Sequence, residues 1–352
     1  MKNSFRYFAF CFFLLLSFSS CKKEAINSGS PFFAKVYVAN EDGESISVIN
    51  TQTNQVIATI PFNDISGNMM MVHNVQAAPD GKTIWATVNP MNPGSIDQLV
   101  VIDPFRDTII TRIFIGEEMH LAHVVLDDAC NYAYVTATDS DEVIKVNART
   151  YAVEAKFFLG SGHQPHGMRF SNGHLFISNL GSNTMSIIDV SNGEINEIPV
   201  GGMAVQSAVT KDGRFVFSSL YDQKAILKYE VASGITHIIP LPASSEGPIQ
   251  IYPTPDGSKL FICDQGLLLS RPASNKVFVL DVASETITNT IIAGNAVHGV
   301  VVSRDGKTVY VSNSGDNTVS VIDVASMTVF KTIPVGLNPN GIAYWSNLGG
   351  QP

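Results

Sequence analysis

The chain has 352 residues, of which 45% are hydrophobic and only 15% are charged, and its formal net charge is −9 at pH 7. A chain of this length can bury a sizeable core, and the small charged fraction suits a strand-rich domain better than a helical one. The acidic balance argues against nucleic acid as a partner, because nucleic-acid binding depends on neutralising phosphates.

The N-terminus has the pattern of an export signal. Lys2 and Arg6 form a short positive region, and an unbroken apolar run follows over residues 8–16. A bilayer-spanning helix needs roughly 20 apolar residues, so this run is too short for a permanent anchor and is typical of a cleaved signal peptide. We therefore predict a signal peptide over residues 1–20, and no later stretch reaches transmembrane length.

Cys21 follows two serines and resembles the acceptor cysteine of a bacterial lipobox, although Phe18 stands where that pattern prefers leucine. The alternative is an ordinary secretory signal with an incidental cysteine. We expect lipidation of Cys21 and a polar tether over residues 21–33. The protein would then be anchored to a bacterial membrane, on its periplasmic or cell-surface side, through the lipid alone.

Four short motifs recur through the rest of the chain. The first motif is KVYVAN, HLFISN or TVYVSN, at residues 35–40, 174–179 and 308–313. The second is SISVIN, TMSIIDV or TVSVIDV, at residues 45–50, 184–190 and 318–324. The third is QVIATIP or VFKTIPVG, at residues 55–61 and 329–336. The fourth is a run ending in Asp-Gly, at residues 80–81, 212–213, 256–257 and 305–306.

The polar residue that ends the second motif counts the repeats. It falls at Asn50, Asp103, Asn147, Asp189, Glu230, Asp281 and Asp323. Each of these seven units holds four runs of β-branched and aromatic residues bounded by Gly, Asn, Asp or Pro, which is the pattern of short strands. Units of about 40–50 residues with four strands each predict an all-β fold, a seven-bladed β-propeller with four-stranded antiparallel blades.

The ends of the repeat region predict how the ring closes. The domain, residues 34–346, begins with the second strand of a unit at Lys35 and ends with a first strand at 340–346. The terminal blade should therefore be closed by the N- and C-terminal strands, which leaves no open sheet edge. A linear solenoid is the alternative, and it would not need this split unit. Residues 347–352 form a tail.

The first motif carries a family resemblance. YVAN, YVTA and YVSN end at residues 40, 137 and 313, and VID, ATIP, VG and PDG follow in the same order. These residues resemble the YVTN family of β-propeller repeats, also described as YncE-like or surface-layer-type propellers. The resemblance covers residues 34–346 and is weakest in the fifth and sixth repeats. It implies the propeller fold and a binding or scaffold role in the cell envelope, with no assigned activity.

A candidate site follows from the expected blade. One residue at the start of each first strand should face the mouth of the central channel, and we call these seven positions the mouth ring. They are Asn340, His73, His123, His166, Val205, Ile249 and His298. Four of the seven are histidines, although the whole chain has only eight.

The mouth ring has two interpretations. In the first, the imidazoles cap strand backbone groups around a wet channel. In the second, His73, His123 and His166 on consecutive blades, with His298 across the channel, bind copper or zinc, since imidazole is the commonest metal ligand. Adjacent blades could hold these side chains too far apart for one ion. Methionines could add thioether ligands nearby, at Met69, Met70, Met71, Met119 and Met203.

Other features of the same face suggest binding surfaces. Two long loops are predicted over residues 88–98 and 263–276, and long loops on a rigid scaffold are where binding usually lies. Glu117, Glu118 and His120 near the mouth permit acid–base chemistry without demanding it. The two cysteines of the domain, Cys130 and Cys263, lie in separate repeats, so no disulfide is expected.

Three functions remain open at this stage. The preferred hypothesis is a monomeric, non-catalytic envelope lipoprotein that binds a protein, glycan or small ligand at the loop face, with no catalytic residue assigned. The second is a copper- or zinc-binding propeller. The third is a lactonase-like hydrolase, which is disfavoured because the mouth ring contains no carboxylate.

Overall fold

The computed structural model describes residues 33–62 and 69–350. These residues belong to one compact unit, Phe33–Pro352. The predicted signal peptide, Cys21 and nearly all of the tether lie outside the described residues. No helix within residues 33–62 and 69–350 is long and apolar enough to cross a membrane.

The described part of the chain forms seven antiparallel sheets of four strands each. The strands are β1 (Lys35–Asn40), β2 (Ser45–Asn50), β3 (Gln55–Pro61), β4 (Met70–Ala77), β5 (Ile84–Pro90), β6 (Ile96–Asp103), β7 (Thr108–Glu117), β8 (Leu121–Leu126), β9 (Tyr132–Ala137), β10 (Glu142–Asn147), β11 (Val153–Phe158), β12 (Pro165–Ser171), β13 (His174–Asn179), β14 (Thr184–Asp189), β15 (Ile195–Pro199), β16 (Ala204–Val209), β17 (Phe215–Leu220), β18 (Ala225–Glu230), β19 (Ile235–Pro240), β20 (Pro248–Pro253), β21 (Lys259–Asp264), β22 (Lys276–Asp281), β23 (Thr286–Ile292), β24 (Val297–Val302), β25 (Thr308–Asn313), β26 (Thr318–Asp323), β27 (Thr328–Pro334) and β28 (Pro339–Trp345). A short 3₁₀ turn spans Leu267–Leu269. The predicted seven-bladed propeller is therefore confirmed.

Blade 1 joins the two ends of the domain, as predicted. It consists of β28, β1, β2 and β3, and the blades that follow along the chain are numbered 2 to 7. Val36 pairs with Tyr344 and Tyr37 pairs with Ala343, so β28 is the innermost strand beside β1. The closing strand is anchored by Trp345, whose Nε1 donates a hydrogen bond to the carbonyl of Gly81 at 2.8 Å.

Burial falls from the inside of a blade to its outside. All six residues of β1 are buried, whereas most of β3, at the outer edge of the same blade, is exposed. The inner strands are covered on both faces because neighbouring blades pack against them. The aromatic residue of the first motif fills these interfaces, and Tyr37, Tyr134 and Phe217 have no exposed surface.

The Asp-Gly turns between first and second strands take the conformation that the sequence predicts. Gly81, Gly213, Gly257 and Gly306 have φ values between 69° and 72°. A side chain would be strained in this left-handed region, and glycine is not.

One loop prediction is wrong. Residues 88–98 are largely strand, because Val88 pairs with Gln98 and only residues 91–95 separate β5 from β6. Blade 6 does carry a long loop, residues 265–275, which contains the 3₁₀ turn.

In blades 2, 3, 5, 6 and 7 the third residue of the YVTN-type motif links the blade to the backbone of the next one. Blade 1 has Ala39 at this position, and in blade 4 Ser178 Oγ pairs with the Ser207 hydroxyl of blade 5 instead. In blade 3, Thr136 Oγ1 accepts a hydrogen bond from the backbone N–H of His123 at 2.9 Å and donates one to the carbonyl of His166 at 2.8 Å. Equivalent bonds between blades run from Thr87 to Ala122, from Ser219 to Ile249, from Ser312 to Asn340 and, through a thiol, from Cys263 to Gly299. These groups fix the backbone of the first strands, which carry the mouth ring.

Replacement of Thr136 tests this link. In Thr136→Val the side chain keeps its shape, but the buried His123 N–H and His166 carbonyl lose their partner. We expect the free energy of unfolding in urea to fall by about 1–3 kcal/mol. Thr136→Ser keeps the hydroxyl and is the matched control. Equal stability of the valine and serine variants would contradict the assignment.

Candidate functional site

Three mouth-ring histidines meet at one end of the channel. One ring nitrogen from each of His73, His123 and His166 lies within 4.8 Å of the other two. The ring centroids are 5.1 Å apart for His123 and His166, and 5.6 Å apart for His73 and His166. Adjacent blades bring these side chains close together because β4, β8 and β12 pack side by side around the channel.

His73 is oriented by a carboxylate from blade 1. Its Nδ1 lies 2.8 Å from Glu41 Oε1, and Asn340 Nδ2 donates to Glu41 Oε2, also at 2.8 Å. Burial opposes ionisation of Glu41, but the charge of His73 and the hydrogen bonds from His73 and Asn340 outweigh it and lower the pKa of Glu41 to about 2. A carboxylate can only accept, so Nδ1 of His73 carries the proton. In the neutral ring the lone pair is then on Nε2, which is buried without a hydrogen-bond partner.

His166 has the same tautomer for a different reason. Its Nδ1 lies 3.0 Å from the carbonyl oxygen of Val205 and must donate to it, so its lone pair is also on Nε2. Burial, followed by the charge of His73, lowers the pKa of His166 to about 3. The unprotonated nitrogens of His73 and His166 are thus both free to bind a Lewis acid.

Burial keeps the other imidazoles of the mouth neutral as well. Burial, helped by the charges of His166 and Arg169, holds the pKa of His123 well below its usual range. Burial also lowers the pKa of His298 to about 4, although Glu41 opposes this. The same cause lowers the pKa of His120, which lies beside His73 with the ring centroids 5.6 Å apart. Neutral imidazole is the form that binds metal ions.

A cavity of about 490 Å³ opens above the histidines. His73 and His166 lie in its wall, together with His120, His298 and Asn340. The wall also has apolar members, which are Leu180, Val205, Ile249, Leu267 and Leu268. Its volume is in the range of small-molecule pockets.

Besides His73 Nε2, two further polar atoms of the cavity residues lack partners. His298 Nδ1 and Asn340 Oδ1 are buried and make no hydrogen bond. Buried polar groups are normally paired, so these atoms leave hydrogen-bonding capacity for a water or a ligand. His298 does not belong to the three-nitrogen group, although it lines the same cavity.

The blade 6 loop is held over this cavity by Arg271. Its guanidinium donates to the carbonyls of Tyr221 at 3.1 Å, Glu246 at 3.0 Å and Asp222 at 3.1 Å. The backbone N–H of Leu268 donates to Tyr221 Oη at 2.9 Å. The loop is therefore attached to blade 5, and its 3₁₀ turn has a defined place at the mouth.

The methionines do not join the site. Met70 and Met119 are buried in hydrophobic clusters between blades, and Met203 packs against another cluster. None of the five methionines near the mouth, all of them within the described residues, lines the cavity. Thioether ligands are therefore not part of this arrangement.

Glu41 is a residue of the candidate site that the mouth ring does not include. The ring itself has no carboxylate, but the residue directly after the second strand also reaches the cavity, as Glu41, Thr138, Leu180 and Gln265 do. In blades 1, 3, 4 and 6 this position is the first residue after the YVTN-type motif. Taking the residue after each motif would therefore have identified Glu41 from the sequence.

The histidine geometry is close to that of a metal site with three protein ligands. Zinc–nitrogen bonds of about 2.0–2.1 Å place two nitrogens of one tetrahedral sphere about 3.3 Å apart. The upper bound of 4.8 Å observed for the three nitrogens is larger, so an ion would draw the imidazoles inward. Three protein ligands leave one position for a water or another ligand.

Solved structures share this fold at low sequence identity. A functionally unknown protein from Desulfotomaculum acetoxidans has a TM-score of 0.71 and 15% identity, covering 89% of this chain and 99% of that one. Kuenenia stuttgartiensis hydrazine synthase has a TM-score of 0.68 and 18% identity, covering 83% and 92%. Virginiamycin B lyase from Staphylococcus aureus has a TM-score of 0.64 and 14% identity, covering 79% and 94%.

These structural similarities show the fold alone. No curated protein sequence matches the chain. A sequence model of a protein family identifies the family. The model described as YNCE-like beta-propeller matches residues 30–302, which is most of the domain. Together with the seven closed blades, this match shows that the chain belongs to the YncE-like β-propeller family.

Proposed function

We propose that this protein binds one transition-metal ion, copper or zinc, through His73, His123 and His166 at the channel mouth. The observation that carries the proposal is the convergence of three imidazole nitrogens within 4.8 Å. In two of the three rings, Nδ1 donates to a protein oxygen and Nε2 is left for the ion. A carboxylate or carbonyl behind a ligating imidazole is the usual support of a metal-binding histidine.

The capping interpretation accounts for less of the geometry. It explains Nδ1 of His166, which is bonded to the carbonyl of Val205. It does not explain His73, whose Nδ1 faces a side-chain carboxylate and whose Nε2 has no partner. A buried nitrogen without a partner costs free energy unless a ligand satisfies it.

The choice of metal follows from the donors. Three imidazoles without thiolate or thioether suit copper or zinc, and nitrogen sites favour Cu²⁺ most strongly among the divalent first-row ions. The proposal makes the protein a binding protein of the envelope rather than a hydrolase. Two carboxylates line the cavity, Glu41 and Asp139. The two oxygens of Glu41 are held by His73 and Asn340, and Asp139 is exposed at the rim. A lactonase-like reaction would need more converging carboxylates than this.

Metal loading tests the proposal directly. The protein without residues 1–20 is incubated with Cu²⁺ or Zn²⁺, desalted and analysed by mass spectrometry for metal content. We expect about one ion per chain and none in the double variant His73→Ala/His166→Ala. His174→Ala removes a histidine on β13 that lies outside the cavity, and should keep the ion. Wild-type protein that retains no metal would disprove the proposal.

Glu41 is a positioning residue in this site. Glu41→Gln keeps a hydrogen-bond acceptor for His73 but removes the charge that strengthens the imidazole as a ligand. We expect metal affinity to fall about 10–100-fold, with the stoichiometry unchanged, in competition with a chromophoric chelator. The control is Glu118→Gln, because Glu118 accepts a hydrogen bond from the backbone N–H of Gly94, at 3.4 Å, and does not line the cavity. Wild-type affinity in Glu41→Gln would show that the carboxylate does not support the ligand.

We also propose that the protein is exported and held on a bacterial membrane by a lipid on Cys21. The basis is the signal-like sequence of residues 1–20 with the lipobox-like end. Cells expressing Cys21→Ser should incorporate no labelled palmitate into the protein, whereas Cys130→Ser, which changes a free thiol of the propeller, should label normally. Equal labelling of the Cys21→Ser protein would rule out this anchor.

A further inference from the structure

We infer that the ion in this site takes its remaining ligand from a small organic anion held in the cavity, a carboxylate with an apolar body. The inference rests on the proposed metal site and names what that site would bind. It makes the channel mouth a receptor for a metal-coordinating small molecule and not only for an ion.

The first step is access to the ion. Two of the three ligands, His73 and His166, are also residues of the cavity wall. An ion bound to their free nitrogens would therefore sit at the cavity floor. Since three imidazoles do not complete its coordination, a further ligand would reach the ion from the cavity, whose wall supplies two of the three imidazoles.

The second step is charge. An imidazole that binds a metal ion does so as a neutral ligand, so three of them leave the two positive charges of the ion uncompensated. Besides the histidines, the groups that act on the pKa values of the mouth imidazoles are Glu41, Arg169 and Asp139. Glu41 and Arg169 are buried and opposite in sign, and Asp139 is exposed at the rim. The loaded site therefore keeps a net positive charge, and burying such a charge is costly without a counter-ion.

Arg169 matters for the charge of the site because no carboxylate forms an ion pair with it in the described part of the chain. It is buried on β12, its Nη1 donates to the carbonyl of Met168 at 2.9 Å, and its guanidinium lies 5.8 Å from the ring of Tyr252. No ion pair with a carboxylate is found for it among the described residues. A neutral fourth ligand would leave the charge as it is, whereas an anion reduces it.

The third step is the apolar wall. Leu267 and Leu268 are 48% and 46% exposed, yet Arg271 fixes their loop above the metal-binding residues. With Leu180, Val205 and Ile249 they give one side of the cavity a hydrocarbon surface. Burying exposed leucines of a concave site against an apolar ligand removes their surface from water, which favours binding. The cavity, about 490 Å³, has room for an arene or a branched alkyl chain.

The fourth step is the pair of unsatisfied polar atoms. Asn340 Oδ1 can only accept a hydrogen bond, and His298 Nδ1 accepts or donates according to its tautomer. Both residues are less than a tenth exposed and line the same cavity. The tautomer of His298 with a proton on Nδ1 can donate to a carboxylate, whereas Asn340 Oδ1 can accept from a hydroxyl or N–H group of the ligand or from a water. The cavity therefore has the three parts that an amphipathic anion requires.

Cobalt spectroscopy tests the inference. Protein loaded with Co²⁺ is titrated with azide, a small anion, with benzoate, an anion with an apolar body, and with benzyl alcohol, its neutral counterpart. The visible bands of Co²⁺ report a change of ligand. We expect saturable changes with azide and benzoate and none with benzyl alcohol.

Variants of the 3₁₀ turn test the cavity separately from the ion. Leu268→Asp should weaken benzoate about tenfold or more, since it removes apolar contact and adds a like charge. Its azide affinity should stay within about threefold, because azide needs only the open position. Leu269→Asp is the matched control, since Leu269 is in the same turn but does not line the cavity.

The outcomes separate this inference from the metal proposal. If wild-type protein forms no nitrogen-bound Co²⁺ spectrum, the metal site itself is wrong. If the spectrum forms but benzoate does not change it, or benzoate binds Leu268→Asp as tightly as wild type, the metal site stands and the inference is overturned. Equal binding of benzyl alcohol and benzoate would overturn the requirement for an anion.

Discussion

The hydrogen bonds between the hydroxyls of second strands and the first strands of the next blade hold this propeller together at its centre. Strand pairing stabilises each blade, but it does not set how one blade sits against another. Thr136 does so for blades 3 and 4, since its hydroxyl binds the backbone of His123 and of His166. The same group that stabilises the blade interface therefore fixes the distance between two candidate metal ligands. Fold and site share this constraint, and a change that loosens the interface would also move the imidazoles.

The electrostatics of the mouth follow from burial. Five histidines come together there, which would be unfavourable if they were charged, and burial lowers the pKa of His166 and His298 to about 3 and about 4. Glu41 remains ionised because His73 and Asn340 donate to it. The result is a set of buried imidazole nitrogens beside one fixed carboxylate. Protein groups alone do not satisfy all the hydrogen-bonding atoms of this set, since His73, His298 and Asn340 each have a buried atom without a partner.

The sequence predicts the fold better than the site, for a physical reason. The repeated motifs are made of packing and turn residues, so Tyr37, the Asp-Gly turns and the split blade 1 identify a closed propeller directly. The mouth ring also follows from the repeat, and it includes His73, His123 and His166. The distance between these side chains does not follow, because it depends on the channel radius and the side-chain directions. Glu41 lies outside the ring, and strand pairing of Val88 with Gln98 shortened a loop that composition alone predicted to be long.

The site arises where the side chains break the symmetry of the ring. All seven blades have nearly the same backbone, yet blades 2, 3 and 4 place histidine in the mouth ring, whereas blades 5 and 6 place Val205 and Ile249 there. The mouth is therefore divided into a nitrogen-rich half and an apolar half. The loop of blade 6 extends the apolar half upward through Leu267 and Leu268. A symmetric ring of histidines would suit an ion alone, whereas this division suits a ligand with one coordinating end and one apolar end.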